Sequence, residues 1–375
     1  MQTLEKRIFE YSGTTNGYIS FANLDGKKWV IAKNYIQSNL SIYQPSSKKG
    51  KLLKRILPVV SRIGIYPAVL HVKECSCRIT PEIIDFIEKV FQCKELTLSA
   101  FLGTPGVHQK TVIQVNKGST ILGYCKVSDS DVVYANFIKE MKILNQLQIM
   151  GCRNIPIGLT AQRIMKDEIG VFIQTTTKTT RSRICHRLEE RHVSFIQMLC
   201  MNTLRPIVSH ESGIYRDIAF LKEIPEIQVP FGETISQMLM ELDNGPQMFC
   251  LNHGDFTPWN TYIEKGQLCV FDWEYAETEY LPMLDVFHFF TQVCYFEKHM
   301  SAGKIVEEYL RLKHGEFDTW ISWTGYGSDI LYLCYLLSMI SRTLQRENEL
   351  TEASKKSIDL WFQIIRALAK EAKSE

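Results

Sequence analysis

At 375 residues the chain is long enough for two or three domains, each with a core of its own. Hydrophobic and charged fractions of 45% and 22% are those of an ordinary globular protein, and a net charge of +2 calls for neither nucleic acid nor an anionic membrane as partner. The opening MQTLEKRIFEYSG lacks the apolar core of a signal peptide, and the longest mostly apolar run, Ile330 to Ile340, falls short of the roughly 18 residues of a membrane span, so a cytoplasmic location without membrane insertion is expected.

In chain order, residues 17–33 predict a hairpin, GYISFAN and KKWVIAK about a turn at Asp25 and Gly26. A basic stretch follows, Lys48, Lys49, Lys51, Lys54, Arg55 and Arg62 around an apolar thread, which reads as a solvated helix face or as a grip for a polyanion. PEIIDFIEKVF has helical spacing, with Pro81 suited to the first turn. A new texture begins at Glu95, so residues 1–95 are expected to form a small accessory α/β domain. The runs ELTLSAFLG, KTVIQV and STILGYCKV then read as consecutive strands, and VVYANFIKEMKILNQLQIM as an amphipathic helix. Two more strands are expected around Ile155–Arg163 and Gly170–Gln174, with a hinge near Thr175–Thr180. Beyond it the chain turns helical: RHVSFIQMLCMNTL, ETISQMLMELDN, and helices near Lys304–Lys313, Asp329–Arg346 and Ser354–Ala372. Residues 96–176 are thus a strand-rich part with one helix, and 177–375 a mostly helical part.

Eleven cysteines include no CxxC pair. Cys75 and Cys77, with His71 and the more distant Cys93 nearby, make a poor zinc site. Cys125, Cys250, Cys269 and Cys334 stand in apolar runs and read as small buried hydrophobes.

The chemistry concentrates in FCLNHGDFTPWNTYIEKGQLCVFDWEYA. Asp255 and Asn260 stand five apart, a hairpin with its turn at Glu264–Gln267 follows, and Asp272 is expected to end its second strand. Counting outward from the turn sets Asn260 opposite Phe271 and next to Asp272, so an amide and a carboxylate meet at the open end. Such hard oxygen donors suit Mg²⁺. Asp255, on the loop before, is placed to take the proton of an attacking hydroxyl.

HGDFTPWN followed by VFDWEYA resembles the catalytic signature of the aminoglycoside phosphotransferase and choline kinase family over about 35 positions. The resemblance implies an α+β, bilobal protein-kinase-like fold over 96–375, with an ATP- and Mg²⁺-dependent transfer of the γ-phosphoryl group to a hydroxyl of a sugar, aminoglycoside, choline or other amino alcohol. It makes Asp255 the catalytic base, Asn260 and Asp272 the metal ligands, Asp285 in LPMLDVFHFF the buttress of the catalytic loop, and His253 a structural loop residue. Upstream, Lys126 in YCKVS matches the family's phosphate-holding strand lysine and Glu140 its helix partner. The turn with Gly103 and Gly106 lies where backbone N–H groups would cover the phosphates. Where the family often has a Gly-Asp-Pro-like segment, this chain reads ETEYLPMLD.

Three other readings compete. Lys33 in WVIAK superficially matches a kinase strand lysine, but no glutamate-bearing helix follows it. Glu274, Glu277 and Glu279 suit an acidic site for an amine or, more simply, a solvated loop. A catalytically silent, nucleotide-binding kinase-like protein is the alternative function, and it gives no reason for Asp255, Asn260 and Asp272 to occur together. A protein kinase is disfavoured, since no Ala-Pro-Glu-like anchor follows Asp272.

Overall fold

The structure, a computed structural model, describes residues 3–371 except 12–16, 24–25, 46, 63–71, 105, 107, 244–246 and 348. Asp25 and Pro105 of the expected turns, His71 beside the cysteine pair, and Ala372 at the expected end of the last helix lie outside these residues. The chain opens with α1 (Leu4–Ile8), β1 (Phe9–Tyr11), the hairpin β2 (Tyr18–Ala22) and β3 (Lys28–Ala32), α2 (Ile36–Asn39) and α3 (Lys48–Arg62). Then come β4 (Lys73–Cys75), β5 (Cys77–Ile79), α4 (Pro81–Phe91), β6 (Thr97–Leu102), β7 (Thr111–Lys117), β8 (Thr120–Ser128), α5 (Asp131–Ile149), β9 (Gly158–Ile164) and β10 (Ile169–Thr175). Next are α6 (Glu190–Thr203), β11 (Arg205–Ile207), α7 (Gly213–Lys222), α8 (Pro225–Leu242), β12 (Gln247–Asn252), β13 (Thr261–Glu264), β14 (Gln267–Val270) and β15 (Glu277–Tyr280). Five helices close the chain: α9 (Leu284–Gln292), α10 (Ala302–Leu312), α11 (Asp318–Ile321), α12 (Ser328–Arg346) and α13 (Glu352–Glu371).

Two compact units result, Met1–Ile184 with Tyr262–Glu274, and Cys185–Thr261 with Tyr275–Glu375. The expected boundary at residue 95 is not a break. β3 pairs antiparallel with β6, Trp29 opposite Phe101 and Val30 opposite Ala100. One eight-stranded antiparallel sheet therefore runs β4-β2-β3-β6-β7-β8-β10-β9. The reason lies in β3 itself, whose Trp29, Val30, Ile31 and Ala32 are all buried. Val30 joins a core with Ile83, Ile87 and Ala100, whereas Trp29 and Ile31 join another with Leu53 and Leu57 of α3. β3 is thus covered on both faces, and with β2 paired along one edge and β6 along the other it is an interior strand of the sheet. The change of texture at Glu95 is the end of α4, not of a domain.

A second correction concerns residues 177–184 and the hairpin β13–β14, expected in the helical part. Arg183 and Ile263 exchange backbone hydrogen bonds of 3.1 and 2.7 Å, Tyr262 Oη meets the hydroxyls of Thr176 and Thr177 at 3.2 and 2.9 Å, and Val270 N donates to Asn154 O at 3.0 Å. These bonds tie the hairpin to the sheet-bearing unit and move the division from the expected hinge to Ile184.

In the second unit, helices enclose a three-stranded sheet of order β11-β12-β15. α8 begins at Pro225, in its first turn, well before the expected ETISQ run, while α7 and α9 had no clear signal. α6 starts on a reciprocal cap: the Glu189 side chain accepts from the backbone of His192, and Glu189 N donates to His192 Nδ1 at 3.1 Å. His192 is fully buried, its ring 5.0 Å from that of Phe289 and 6.2 Å from Phe256. Burial, opposed by Glu189, holds its pKa down at about 4 from 6.5. The unfolded chain therefore takes up this proton first, and stability falls by roughly 1.4 kcal/mol per pH unit as pH drops from 6.5 towards 4. Denaturant unfolding of His192→Gln, which keeps a helix-capping side chain, should lose that part of the acid sensitivity. An identical pH dependence in the variant and the parent would refute it.

No helix of the described residues is long and apolar enough to cross a membrane. Cys125, Cys250, Cys269 and Cys334 are buried, as expected.

Candidate active site

In the sheet-bearing unit, β8 carries Lys126, and α5, lying against β10 and β9, carries Glu140. Lys126 Nζ donates to Glu140 Oε2 at 2.6 Å and to Asp272 Oδ1 at 2.5 Å. The other oxygen of Glu140 accepts from Trp273 N at 3.2 Å, so both glutamate oxygens are satisfied in a site where its side chain is 0% exposed. β14 ends at Val270 rather than at Asp272, and Asp272 adopts a left-handed backbone with φ 68°. Aspartate tolerates that conformation better than most residues. A second lysine joins the group. Lys110 Nζ donates to Glu274 Oε2 at 2.6 Å and lies 3.8 Å from Asp272 Oδ1.

Oxygens of Glu140, Asp272 and Glu274 lie within 4.8 Å of one another, three carboxylates against two ammonium groups. Burial lowers the pKa of Lys126, but Asp272 and then Glu140 outweigh it, and the net shift is upward. Lys110 behaves alike, with burial overcome by Asp272 and Glu274. Glu140 is pushed up, by burial first and by its acidic neighbours, against the pull of Lys126. Both lysines therefore keep their charge. Lys110, Lys126 and Asp272 line a cleft whose apolar walls include Phe101, Val112 and Phe271.

In the helical unit, β12 runs into His253, Gly254 and Asp255. Gly254 has φ 76°, and a Cβ there would lie 2.2 Å from Tyr275 O, so only glycine fits. Asp285, buried in the first turn of α9, accepts from His253 N at 2.6 Å and Gly254 N at 3.0 Å. Two backbone donors on one carboxylate clamp the loop. His253 Nδ1 accepts from Asp255 N at 3.3 Å, a structural bond within the loop. Asp255 itself is gripped from both sides. Asn260 Nδ2 donates to its Oδ2 at 2.7 Å and to its backbone O at 3.0 Å, and His288 Nε2 meets Oδ1 at 3.0 Å. Each oxygen retains a lone pair, and the side chain is 29% exposed, open to an incoming hydroxyl.

No family model matches the sequence, and no curated protein is similar to it at a significant level. Among solved structures the chain is similar to those of small-molecule kinases and phosphotransferases. An amicoumacin kinase in complex with AMP-PNP and Ca²⁺ is 10% identical, with 75% of this chain and 92% of that one covered at a TM-score of 0.46. A thermostable mutant of an aminoglycoside phosphotransferase is 12% identical, with 76% and 99% covered at 0.47. A choline kinase from Cryptosporidium parvum is 12% identical, with 77% and 96% covered at 0.45.

Of the residues singled out in the sequence, Lys126, Glu140 and Asp272 meet in one unit, and Asp255, Asn260, His253 and Asp285 in the other. Gly103 takes a different part. Its N–H donates to Lys110 O at 3.0 Å, and a Cβ would lie 3.0 Å from the same oxygen. The N–H expected to cover phosphates is thus used inside the turn, and the glycine permits a close backbone approach. Gly106 accepts at its carbonyl from Gln109 N at 2.9 Å. The acidic run after Asp272 is neither a solvated loop nor a set of free acids. Glu274 is buried on Lys110, Glu277 lies 3.7 Å from Arg342, and Glu279 pairs with Arg205 and Arg216 at 3.2 and 3.1 Å.

Two residues escaped the sequence reading. His288 stands three positions after Asp285 on the same helix, a spacing that sets both on one face, and this was its only signal. Lys110 carried none, since its acidic partners lie more than 150 positions away along the chain.

Proposed function

We propose that the chain is an ATP- and Mg²⁺-dependent phosphotransferase that moves the γ-phosphoryl group to a hydroxyl of a small molecule, a sugar, aminoglycoside, choline or other amino alcohol. The observation that carries this reading is the setting of Asp255, a half-open carboxylate held by His288 and Asn260 on a loop clamped through Asp285. In this reading Asp255 accepts the proton of the attacking hydroxyl. Lys126, fixed by Glu140, takes the phosphates as a point charge, and the apolar cleft beside it takes the base.

Asp272 and Asn260 are the proposed magnesium ligands. The carboxylate oxygens grouped around Asp272 fit a hard cation that prefers oxygen donors. When bound, the ion neutralises charge on the transferred phosphoryl group. The protein's own part is alignment: Asp255 orients the nucleophile, Lys126 orients the phosphates, and Asp285 keeps the loop in shape.

The test is transfer of label from γ-labelled ATP to a panel of hydroxyl-bearing metabolites, with magnesium and with a chelator. Magnesium-dependent labelling of at least one acceptor is expected. Nucleotide-induced thermal stabilisation without labelling of any acceptor would favour the silent, nucleotide-binding alternative and end this proposal.

A further inference from the structure

The basic stretch Lys48–Arg62, which the proposed reaction does not use, belongs to a longer segment of one-sided charge. From Gly26 to Lys73 the sequence holds ten lysines and arginines and no aspartate or glutamate. Some of these cations find partners outside it: Lys28 meets Glu5 at 2.7 Å and Lys33 meets Glu74 at 2.5 Å. Lys54 and Arg55 form no ion pair among the described residues. Both project from α3 because Leu53 and Leu57 turn another side of that helix to the core.

A third cation reaches the same place from a different segment. Lys178 follows β10, forms no ion pair among the described residues, and has its ammonium 5.9 and 5.8 Å from the ring centroids of Tyr262 and Phe271. Lys54, Arg55 and Lys178 line one cavity of about 330 Å³, together with Gln37, Ser41 and Thr180, and no carboxylate lines it. Glu264 lies on the adjoining hairpin, where it accepts from Thr179 Oγ1 and Ser182 Oγ at 2.9 and 2.5 Å, outside the lining. Lys54 Nζ donates to Tyr43 O at 2.5 Å, which leaves two of its three donors.

We infer that this cavity is a binding site for the phosphate group of a small molecule, held by Lys54, Arg55 and Lys178. Uncompensated ammonium groups facing one concave space are unfavourable until an oxoanion joins them. Their titration agrees: burial lowers Lys54 to about 8, and burial with the charge of Lys54 lowers Lys178 to about 7. Cations that converge from a helix and a separate segment around a cavity suit a compact anion better than the plane of a lipid surface. Gln44, Lys178 and Tyr262 also line the nucleotide cleft, so the phosphate belongs either to a separate metabolite or to a nucleotide phosphorylated on its ribose.

Calorimetric titration of the full chain with pyrophosphate, with and without a saturating non-hydrolysable ATP analogue and magnesium, tests the site. Pyrophosphate should bind the analogue-loaded protein, and Lys54→Gln with Arg55→Gln should weaken it at least tenfold while leaving analogue affinity unchanged. Arg55→Gln alone, at an exposed position, is the control should the double variant unfold, with a smaller loss expected. A parallel arm compares adenosine 5′-phosphate with its 3′-phosphorylated form. A gain confined to that form, lost in the variants, assigns the phosphate to the nucleotide; pyrophosphate binding beside the analogue assigns it to a separate metabolite. Binding that is unchanged in the variants, absent in both arms, or seen only with vesicles of anionic phospholipid would overturn the inference. None of these outcomes depends on phosphoryl transfer, so the site and the proposed activity stand or fall separately.

Discussion

Asp255→Asn should lower kcat by roughly 10²–10⁴-fold, the usual contribution of a positioned general base, with nucleotide affinity nearly unchanged. The amide is isosteric and keeps one acceptor oxygen, so it can satisfy either Asn260 or His288 but not both as donors. The loop itself is held by Asp285 through the backbone of His253 and Gly254, bonds that the substitution does not touch. The fold should therefore survive, and equal melting temperatures would show that it does. His288→Asn tests the same carboxylate from its other side. Acting through Asp255, it should lower kcat less and leave the nucleotide KM in place. Full turnover in Asp255→Asn would remove the base assignment and, with it, the observation on which the proposed reaction rests.

Lys126→Met is expected to have a double effect. Removing one member of a buried ion pair leaves the other charge uncompensated, a loss of about 3–5 kcal/mol of stability. Glu140 is the residue stranded, since its side chain is wholly buried and, among the described residues, Lys126 is its only cationic partner at short range, whereas Asp272 still has Lys110 at 3.8 Å. Adding Glu140→Leu removes the stranded charge, so the double variant should regain much of the lost stability. It should not regain activity, because the phosphates would still lack their lysine. Stability from unfolding curves and turnover from label transfer separate the two effects. A double variant that recovers both would make the pair structural, and a single variant with normal turnover would exclude Lys126 from phosphate binding.

The two substitutions also separate what each unit contributes. Asp255 and its partners lie in the helical unit, Lys126 and its partners in the sheet-bearing one. Nucleotide-induced stabilisation should follow Lys126, and turnover should follow both.

Much of this arrangement is legible in the sequence because its parts are local. A two-residue loop at Lys265 and Gly266, with φ 49° and 81°, turns the hairpin where the spacing expected it. The apolar spacing of α5 puts Phe137, Leu144 and Leu147 in the core. His-Gly-Asp needs glycine because one particular carbonyl stands in the way of a side chain. What only the tertiary structure decided are the pairings of residues far apart in the chain. Trp29 and Phe101 face each other across a ladder, which merges two expected domains into one sheet. Lys110 finds Glu274, and from Tyr262 onward the hairpin joins the unit of Arg183 rather than that of Asp255. Periodicity and turn chemistry act over a few residues. Strand partners and buried ion pairs are chosen by the packing of the whole chain, for which a single sequence carries no positional signal.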